Sequence, residues 1–467
     1  MYGEGSTILK EKVNKKIIII ASSIFILLCI YFGLSIYFMS HFYFRTTINN
    51  VNVSGKTAKE VEEEISSNVN LYKLELEERG GEKEYIDSKS IELEYSSGDQ
   101  IESIKNNQNP FKWIFILFSK ENHKVSGIIT YDEELLKKNF DNLSCLDLAN
   151  VVEPENPIFK YSDGKYEIAS EIYGNRINKE ILYDNIVESI TSLKPKLDLE
   201  LINCYELPKY SSSSKEVIDA KNLLNKYVSA KINYSFGDKI EVLDSDKINE
   251  FLEVDENFNV IINEDKVKKY VSSLSNTYDT YAKTREFKTS LGTMAKVSGG
   301  NYGWLINSSK EAENIVNNIK DGQVVDREPI YKKTAINRGV NDIGSTYVEI
   351  NLSKQCLWFY KDGKVIVQGN VVTGNVSLGH STPVGVYELN YKQKDAILQG
   401  EDYSSPVRFW MPFNGGIGIH DASWRTDFGG SIYKSSGSHG CVNSPYYLAK
   451  TIFDNIEPGT PIICYVE

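Results

Sequence analysis

Two short stretches near the end of the chain carry residue types that covalent catalysis uses. One reads Ser438-His439-Gly440-Cys441-Val442-Asn443-Ser444-Pro445; the other, upstream, reads Gly416-Ile417-Gly418-Ile419-His420-Asp421. Seventeen residues separate His420 from Ser438, and the 467-residue chain holds only five histidines, two of them close to this cysteine. A thiol becomes a nucleophile when a nearby imidazole takes its proton, and the thiolate gains from the positive end of a helix. The tetrahedral intermediate then needs backbone N–H groups facing the oxyanion. His420 is the expected base for Cys441. Ser444 and Pro445 read as the cap and first residue of a helix with Leu448, Ile452, Phe453 and Ile456 on its apolar face. That would set Cys441 just ahead of a helix N-terminus, with Gly440 turning the amides of Gly440 and Cys441 toward one point.

Plainer readings compete. A lone cysteine is by default an inert buried thiol, and a single histidine is usually an ordinary polar residue. Zinc could take His420, His439 and Cys441 with Asp421 as a fourth ligand, but one residue between His439 and Cys441 is short of the usual ligand spacing. The other cysteines lack such neighbours. Cys29 lies in an apolar run, Cys356 and Cys464 sit in apolar β-like runs, and no CxxC occurs. An oxidising compartment would permit a Cys145–Cys204 bridge, which the spacing neither requires nor forbids.

The elements that must position this site show as a change of texture. After the polar junction Asn337-Arg338-Gly339-Val340-Asn341-Asp342, short strands divided by Gly and Pro predict a mostly-β domain over residues 345–467, interrupted by one helix. Val348, Ile350 and Leu352 fall on one face of a strand, and Lys361-Asp362-Gly363-Lys364 predicts a hairpin. Residues 399–411, with Tyr403, Arg408, Phe409 and Trp410, read either as a wall over the site or as core strand.

Upstream, Tyr-Gly recurs at 173 and 302 and Ile-Asn at 177 and 306, each time followed by a helical pattern and preceded by one, at 133–140 and 264–274. The match predicts a duplicated α+β module at residues 125–212 and 213–336. Tyr173, Tyr302 and Trp304 could stack on sugar, although aromatics beside glycine in a turn are more often structural. Residues 46–124 form a membrane-proximal α+β region, where Thr57 caps a helix carrying Val61 and Ile65. The apolar patch at 111–118 is too short to cross a bilayer and reads as core.

Residues 17–39 contain no charge and suffice to span a bilayer, while Lys10, Lys12, Lys15 and Lys16 precede them. The expectation is a retained transmembrane helix with residues 1–16 as a cytoplasmic tail and everything after it exported. Phe38-Met39-Ser40-His41 is a poor cleavage context for a signal peptide. The fold class is therefore multidomain α+β. A net charge of −12 argues against nucleic acid as partner and leaves an anionic cell wall open. Nothing in the chain specifies an oligomeric state.

At this point the residues resemble a known signature. His420 followed by Ser438-His439-Gly440-Cys441-Val442-Asn443 is similar to the active site of YkuD-type L,D-transpeptidases. Ser381-Thr382-Pro383-Val384-Gly385-Val386-Tyr387 and Glu457-Pro458-Gly459-Thr460-Pro461-Ile462 resemble two further segments of that family, and the upstream repeats resemble the peptidoglycan-binding domains fused to it. The resemblance implies a β-sandwich catalytic domain in which Cys441 attacks after the L-centre of the diamino acid of a tetrapeptide stem and releases D-alanine. A second stem's side-chain amine then takes the acyl group, so peptidoglycan stems are both donor and acceptor. His420 serves as base and then acid, oriented by the carbonyl or the carboxylate of Asp421. Ser438, His439 and Asn443 are implied substrate-facing residues, and carbapenems would acylate Cys441. No metal or organic cofactor is implied. An L,D-carboxypeptidase would share the acyl-enzyme, as would an enzyme attaching proteins to the wall; a non-catalytic wall-binding scaffold is the remaining alternative.

Overall fold

The computed structural model describes residues 4–49, 51–96, 98–125, 127–339, 341–400 and 403–467. Asn50, Val340 and the start of the expected cytoplasmic tail lie outside the described residues, as do the side chains of Lys10, Lys12 and Tyr403. The chain is mixed α+β and divides into two compact units, Met1–Ile158 with Ser170–Ser212, and Phe159–Ala169 with Ser213–Glu467.

In the first unit an apolar helix, Glu4–Ser40, includes the 27-residue stretch Asn14–Ser40 that is long and apolar enough to cross a bilayer. Thr57 closes a capping box with Glu60, its hydroxyl accepting from the Glu60 N–H and the Glu60 carboxylate accepting from the Thr57 N–H. The helix it starts, Ala58–Asn70, buries Val61, Ile65 and Val69 in a core shared with Leu74, Leu76, Leu136, Phe140, Leu182 and Ile186. The strand Lys73–Glu77 pairs antiparallel with Lys83–Asp87 and parallel with Lys196–Asp198, so segments on both sides of residue 125 fold on one core. Cys145 and Cys204 are separate free thiols.

The patch at 111–118 is not core. It forms two single turns, Pro110–Lys112 and Trp113–Ile116, and only Trp113 is buried, against Tyr31 and Phe38 of the apolar helix. Phe115 and Phe118 are 74% and 88% exposed. A helix of one turn has no second row of side chains to turn inward, so its apolar residues point all round.

The second unit repeats the topology of the first. A helix, Lys215–Val228, leads to the hairpin Lys231–Phe236 and Lys239–Leu243; helices Glu264–Tyr278 and Ser308–Asp321 follow, and Val324–Arg327 returns parallel to Lys231–Phe236. Tyr302 and Trp304 are buried here, the Tyr302 hydroxyl donating to the Asp342 carbonyl (2.8 Å) and the Trp304 indole to the Asn337 carbonyl (2.8 Å), so neither offers a face to a sugar. Tyr173, in the first unit, is half exposed.

The C-terminal domain is rich in sheet. Five strands run in the order Lys364–Asn370, Cys356–Lys361, Tyr347–Asn351, Pro461–Tyr465, Gly385–Glu388, and four in the order Gln393–Gly400, Tyr403–Asn414, Ile417–Asp421, Val442–Ser444. Val348, Ile350, Phe359, Phe409, Met411, Ile419 and Val442 share one core with the helix Tyr446–Asn455. The expected hairpin turns at Asp362 and Gly363, both at positive φ. The far face of Tyr347–Asn351 is buried as well, because Glu349 accepts hydrogen bonds from the Ser290 amide, the Ser290 hydroxyl and the Tyr465 hydroxyl.

Two contacts tie this domain to the preceding module within the second unit. Gly300 (φ +91) lies against the strand Gly385–Glu388 so closely that a Cβ would sit 1.9 Å from the Val386 carbonyl oxygen, which only glycine allows. At the polar junction, Arg285 grips Asp342 with two hydrogen bonds (2.8 and 2.6 Å), both side chains being largely buried, and the Thr280 hydroxyl donates to the same carboxylate. Removing one partner of a buried ion pair strands the other. Asp342→Ala should therefore destabilise this unit by roughly 3 kcal/mol or more, lowering the urea midpoint of the detergent-solubilised full chain; an unchanged midpoint would contradict the clamp.

Candidate active site

Parallel pairing of Ile417–Asp421 with Val442–Ser444 sets His420 opposite Asn443 and Ile419 opposite Val442. Ile419 and Val442 enter the core, and the alternation of side chains turns His420 and Asn443 to the other face. Backbone bonds between Val372 and Asn443 (both 2.9 Å) hold the short strand from its second side. The result is a cleft lined by His420, Cys441, Asn443, Ser438 and His439, with Leu398 and Ser405 from the neighbouring hairpin and Trp424, Arg425 and Gly437 from the loops between. Residues 399–411 thus serve in both expected ways: Ser405 lines the cleft while Phe409 and Trp410 are buried.

His420 is 3% exposed and flanked by the rings of Trp410 and Trp424, each with its centroid 5.9 Å away. Its Nδ1 lies 2.8 Å from the carbonyl oxygen of Asp421. A carbonyl can only accept, so Nδ1 carries the proton and Nε2 is left as the acceptor. The Asp421 carboxylate faces elsewhere, accepting from the amides of Arg408 (2.8 Å) and Phe409 (2.9 Å). Burial pushes the imidazole pKa below its ordinary value, against the opposing pull of Asp421, and keeps the ring neutral at neutral pH.

Cys441 is 7% exposed and packs with Ala396, Val407 and Trp410. Its thiol reaches the Gly416 carbonyl at 3.5 Å, and no Cys441–His420 hydrogen bond is formed among the described residues. Burial pushes the thiol pKa up to about 11, with the Gly418 amide opposing. The expected helix N-terminus is displaced. Val442–Ser444 is strand, the helix begins at Tyr446 with Pro445 at the cap position, and the Ser444 hydroxyl is buried without a partner. Pairing with the strand that carries His420 takes residues 442–444 away from capping geometry, so the helix starts one residue later than expected, still just beyond Cys441.

The turn before Cys441 is built from hydrogen bonds. Gly440 (φ +116) donates its N–H to the Ser438 hydroxyl (3.1 Å), which donates to the Cys441 carbonyl (2.5 Å). The Thr382 hydroxyl donates to the Gly440 carbonyl (2.6 Å) and accepts from the Gly374 amide (3.0 Å). The Gly440 amide is therefore engaged inside the turn, by the Ser438 hydroxyl. Ser438 holds the turn, although it also borders the cleft. His439 is exposed, its ring centroid 5.0 Å from that of His380. Asn443 is buried with its Oδ1 unpartnered at the cleft wall.

Sequence reasoning missed Trp424, Arg425, Leu398 and the bridging role of Thr382. An aromatic and a cation directly after the base-bearing strand were the available signal for the first pair. The raised thiol pKa and lowered imidazole pKa together describe a neutral resting pair. Iodoacetamide should alkylate Cys441 slowly at neutral pH, with a rate that climbs toward about pH 11 without an earlier plateau, as followed by peptide mass mapping. A plateau below pH 8 would instead reveal a preformed thiolate.

Comparison with known proteins accords with this architecture. The family model for the L,D-transpeptidase catalytic domain (YkuD) matches residues 345–464, and one described as "Putative peptidoglycan binding domain" matches twice, at 86–198 and 210–326. The chain is similar to a cysteine-to-serine mutant of the Enterococcus faecium L,D-transpeptidase, with 32% identity over 54% of this chain and 100% of that one and a TM-score of 0.45. It is similar to the Ldtfm–avibactam carbamoyl enzyme at 32% identity, 53% and 98% coverage and a TM-score of 0.45. The ertapenem-acylated catalytic domain from E. faecium gives 41% identity over 26% of this chain and 98% of that one, with a TM-score of 0.25. Among curated proteins none matches. On its catalytic domain and its twofold upstream module, the chain belongs to the YkuD-type L,D-transpeptidase family.

Proposed function

We propose that this protein cross-links peptidoglycan stems through a thioester on Cys441, with His420 moving the protons. The observation that carries the reading is the His420 tautomer: with Nδ1 donating to the Asp421 carbonyl, Nε2 is an acceptor in the cleft that Cys441 also lines. As a donor stem enters, the thiol leaves the Gly416 carbonyl and passes its proton to Nε2 while Sγ bonds to the carbonyl carbon of the L-centre of the diamino acid. Breakdown of the tetrahedral intermediate breaks the C–N bond, and the imidazolium returns the proton to the departing amine of D-alanine. A side-chain amine of a second stem then attacks the thioester, His420 takes its proton, and the thiol is regenerated as the new amide forms. The neutral resting pair fits this order, because proton transfer is coupled to attack and no standing thiolate is exposed to oxidants.

Asn443 would accept a hydrogen bond from a substrate N–H through its unpartnered Oδ1, and His439 would meet substrate at the mouth. The two upstream modules would hold glycan strands or stems. The uncharged run within Glu4–Ser40, with Lys15 and Lys16 before it, supports a retained single-pass anchor with the N-terminus cytoplasmic and the catalytic domain (residues 345–467) at the wall.

The test is product analysis on disaccharide-tetrapeptide with the detergent-solubilised full chain. The expected products are dimers joined between third residues together with free D-alanine. Cys441→Ala and His420→Ala should each lower turnover by about three orders of magnitude. Tripeptide monomers alone would identify an L,D-carboxypeptidase, and no turnover by the folded wild type would leave a wall-binding scaffold.

A further inference from the structure

We propose that residues 110–118 form a wedge in the outer leaflet of the bilayer, beside the apolar helix of the first unit. This rests on reading Asn14–Ser40 as a membrane span. The segment is bound to the side of that helix below its end. The Tyr31 hydroxyl donates to the Phe111 carbonyl (2.9 Å), and the Trp113 indole N–H lies within reach of the Ser35 hydroxyl (3.2 Å) and the Tyr31 carbonyl (3.3 Å). Tyr31 follows Ile17 by fourteen residues. At a rise of about 1.5 Å per residue that is about 21 Å along the axis, inside a hydrocarbon core about 30 Å thick.

Placed at that depth, the wedge shows the surface a lipid leaflet takes up. Phe111, Ile114, Phe115, Leu117 and Phe118 all project from it, a density of large apolar side chains that water disfavours. The helical backbone bonds Lys112 N–H to Asn109 C=O and Leu117 N–H to Trp113 C=O keep much of its polar backbone satisfied, and Arg45 donates to the Leu117 carbonyl (3.2 Å). Exposed Lys112 within the segment and Lys120 just beyond it can extend their long side chains toward anionic headgroups. The end of the helix is fixed to the same region: Lys105 donates to the Phe38 (2.9 Å) and Met39 (3.1 Å) carbonyls, and Gln108 to the His41 carbonyl (2.9 Å). A span with a free hinge would let the exported chain swing, whereas this joint and wedge hold the first unit on the membrane by two elements.

Full chain reconstituted in phosphatidylcholine–phosphatidylglycerol vesicles containing a lipid with a diazirine-bearing acyl chain would be irradiated, digested and mapped by mass spectrometry. The expected result is lipid adducts on residues 111–118 as well as within 17–36. Adducts on the helix alone, whether water or a second copy covers the wedge, would overturn the proposal and leave the anchor standing. Adducts on neither would overturn the anchor reading itself.

A separate observation in the catalytic cleft concerns Arg425, and it rests on the transpeptidase reading. We infer that Arg425 reads the terminal carboxylate of the donor stem. Its side chain borders the cleft beside Trp424 and His420, its Nε is buried without a partner, and no carboxylate pairs with it among the described residues. A guanidinium held this way is incomplete until an anion arrives. In a tetrapeptide the residue after the scissile bond is the last, so a free carboxylate lies about one Cα step, roughly 3.8 Å, beyond the reacting centre. A longer or amidated stem presents no charge there.

D-Alanine or D-alaninamide release would be compared for a tetrapeptide donor and its C-terminal carboxamide. Wild type should favour the free acid by roughly tenfold or more in kcat/KM, Arg425→Gln should lose that preference while still turning over the amide, and Arg425→Lys should restore part of it. An unchanged ratio in Arg425→Gln would overturn the assignment. A wild type inert on both donors would instead defeat the transpeptidase reading.

Discussion

The hydrogen bond from His420 Nδ1 to the carbonyl of its own neighbour, Asp421, is the constraint on which the site turns. A backbone carbonyl cannot donate, so this one contact sets the tautomer without adding a charge beside the ring. The Asp421 side chain is thereby free for a second task, gathering the amides of Arg408 and Phe409 and stiffening the strand that forms one wall of the cleft. One residue orients the imidazole with its main chain and braces the wall with its side chain.

That bond requires the strand Ile417–Asp421 to sit where it does, and the surrounding structure exists to hold it. Its parallel partner, Val442–Ser444, brings the residues flanking Cys441 to the same edge, and the bonds among Thr382, Gly440 and Ser438 fix the turn that delivers the thiol. Burial then disfavours charge on both groups. A neutral thiol lining the same cleft as a neutral imidazole is less reactive at rest than an ion pair, and in the proposed mechanism proton transfer accompanies attack on the bound substrate. Within the second unit, Gly300 against Val386 and the Arg285–Asp342 clamp extend this order into the preceding module.

The residues of the candidate site were legible because their types are rare and their spacing is specific: five histidines and one Ser-His-Gly-Cys run leave few ways to pair an imidazole with a thiol. The Asp-Gly hairpin and the Thr57 capping box were readable because each rests on a local contact between near neighbours. What the local pattern missed was set by packing, whether by strands far along the chain, by a side chain two residues away, or by a turn too short to bury its residues. Ser444 has every local mark of a cap, yet strand pairing with Asp421 overrides it. The Gly440 amide looked available until Ser438 folded back onto it. Residues 111–118 have core composition but too short a helical turn to bury it, and Tyr302 and Trp304 have binding-site chemistry but spend it on backbone carbonyls. Arg425 was missed because an isolated arginine gains meaning only from the absence of a carboxylate around it.

The central claim, that Cys441 is a nucleophile activated by His420, is tested most directly by intact mass of the full chain after exposure to a carbapenem, alongside Cys441→Ala and His420→Ala. The account predicts a single covalent adduct on the wild type, none on Cys441→Ala, and greatly slowed formation on His420→Ala. An adduct that persists on Cys441→Ala, or forms at an undiminished rate without His420, would contradict it.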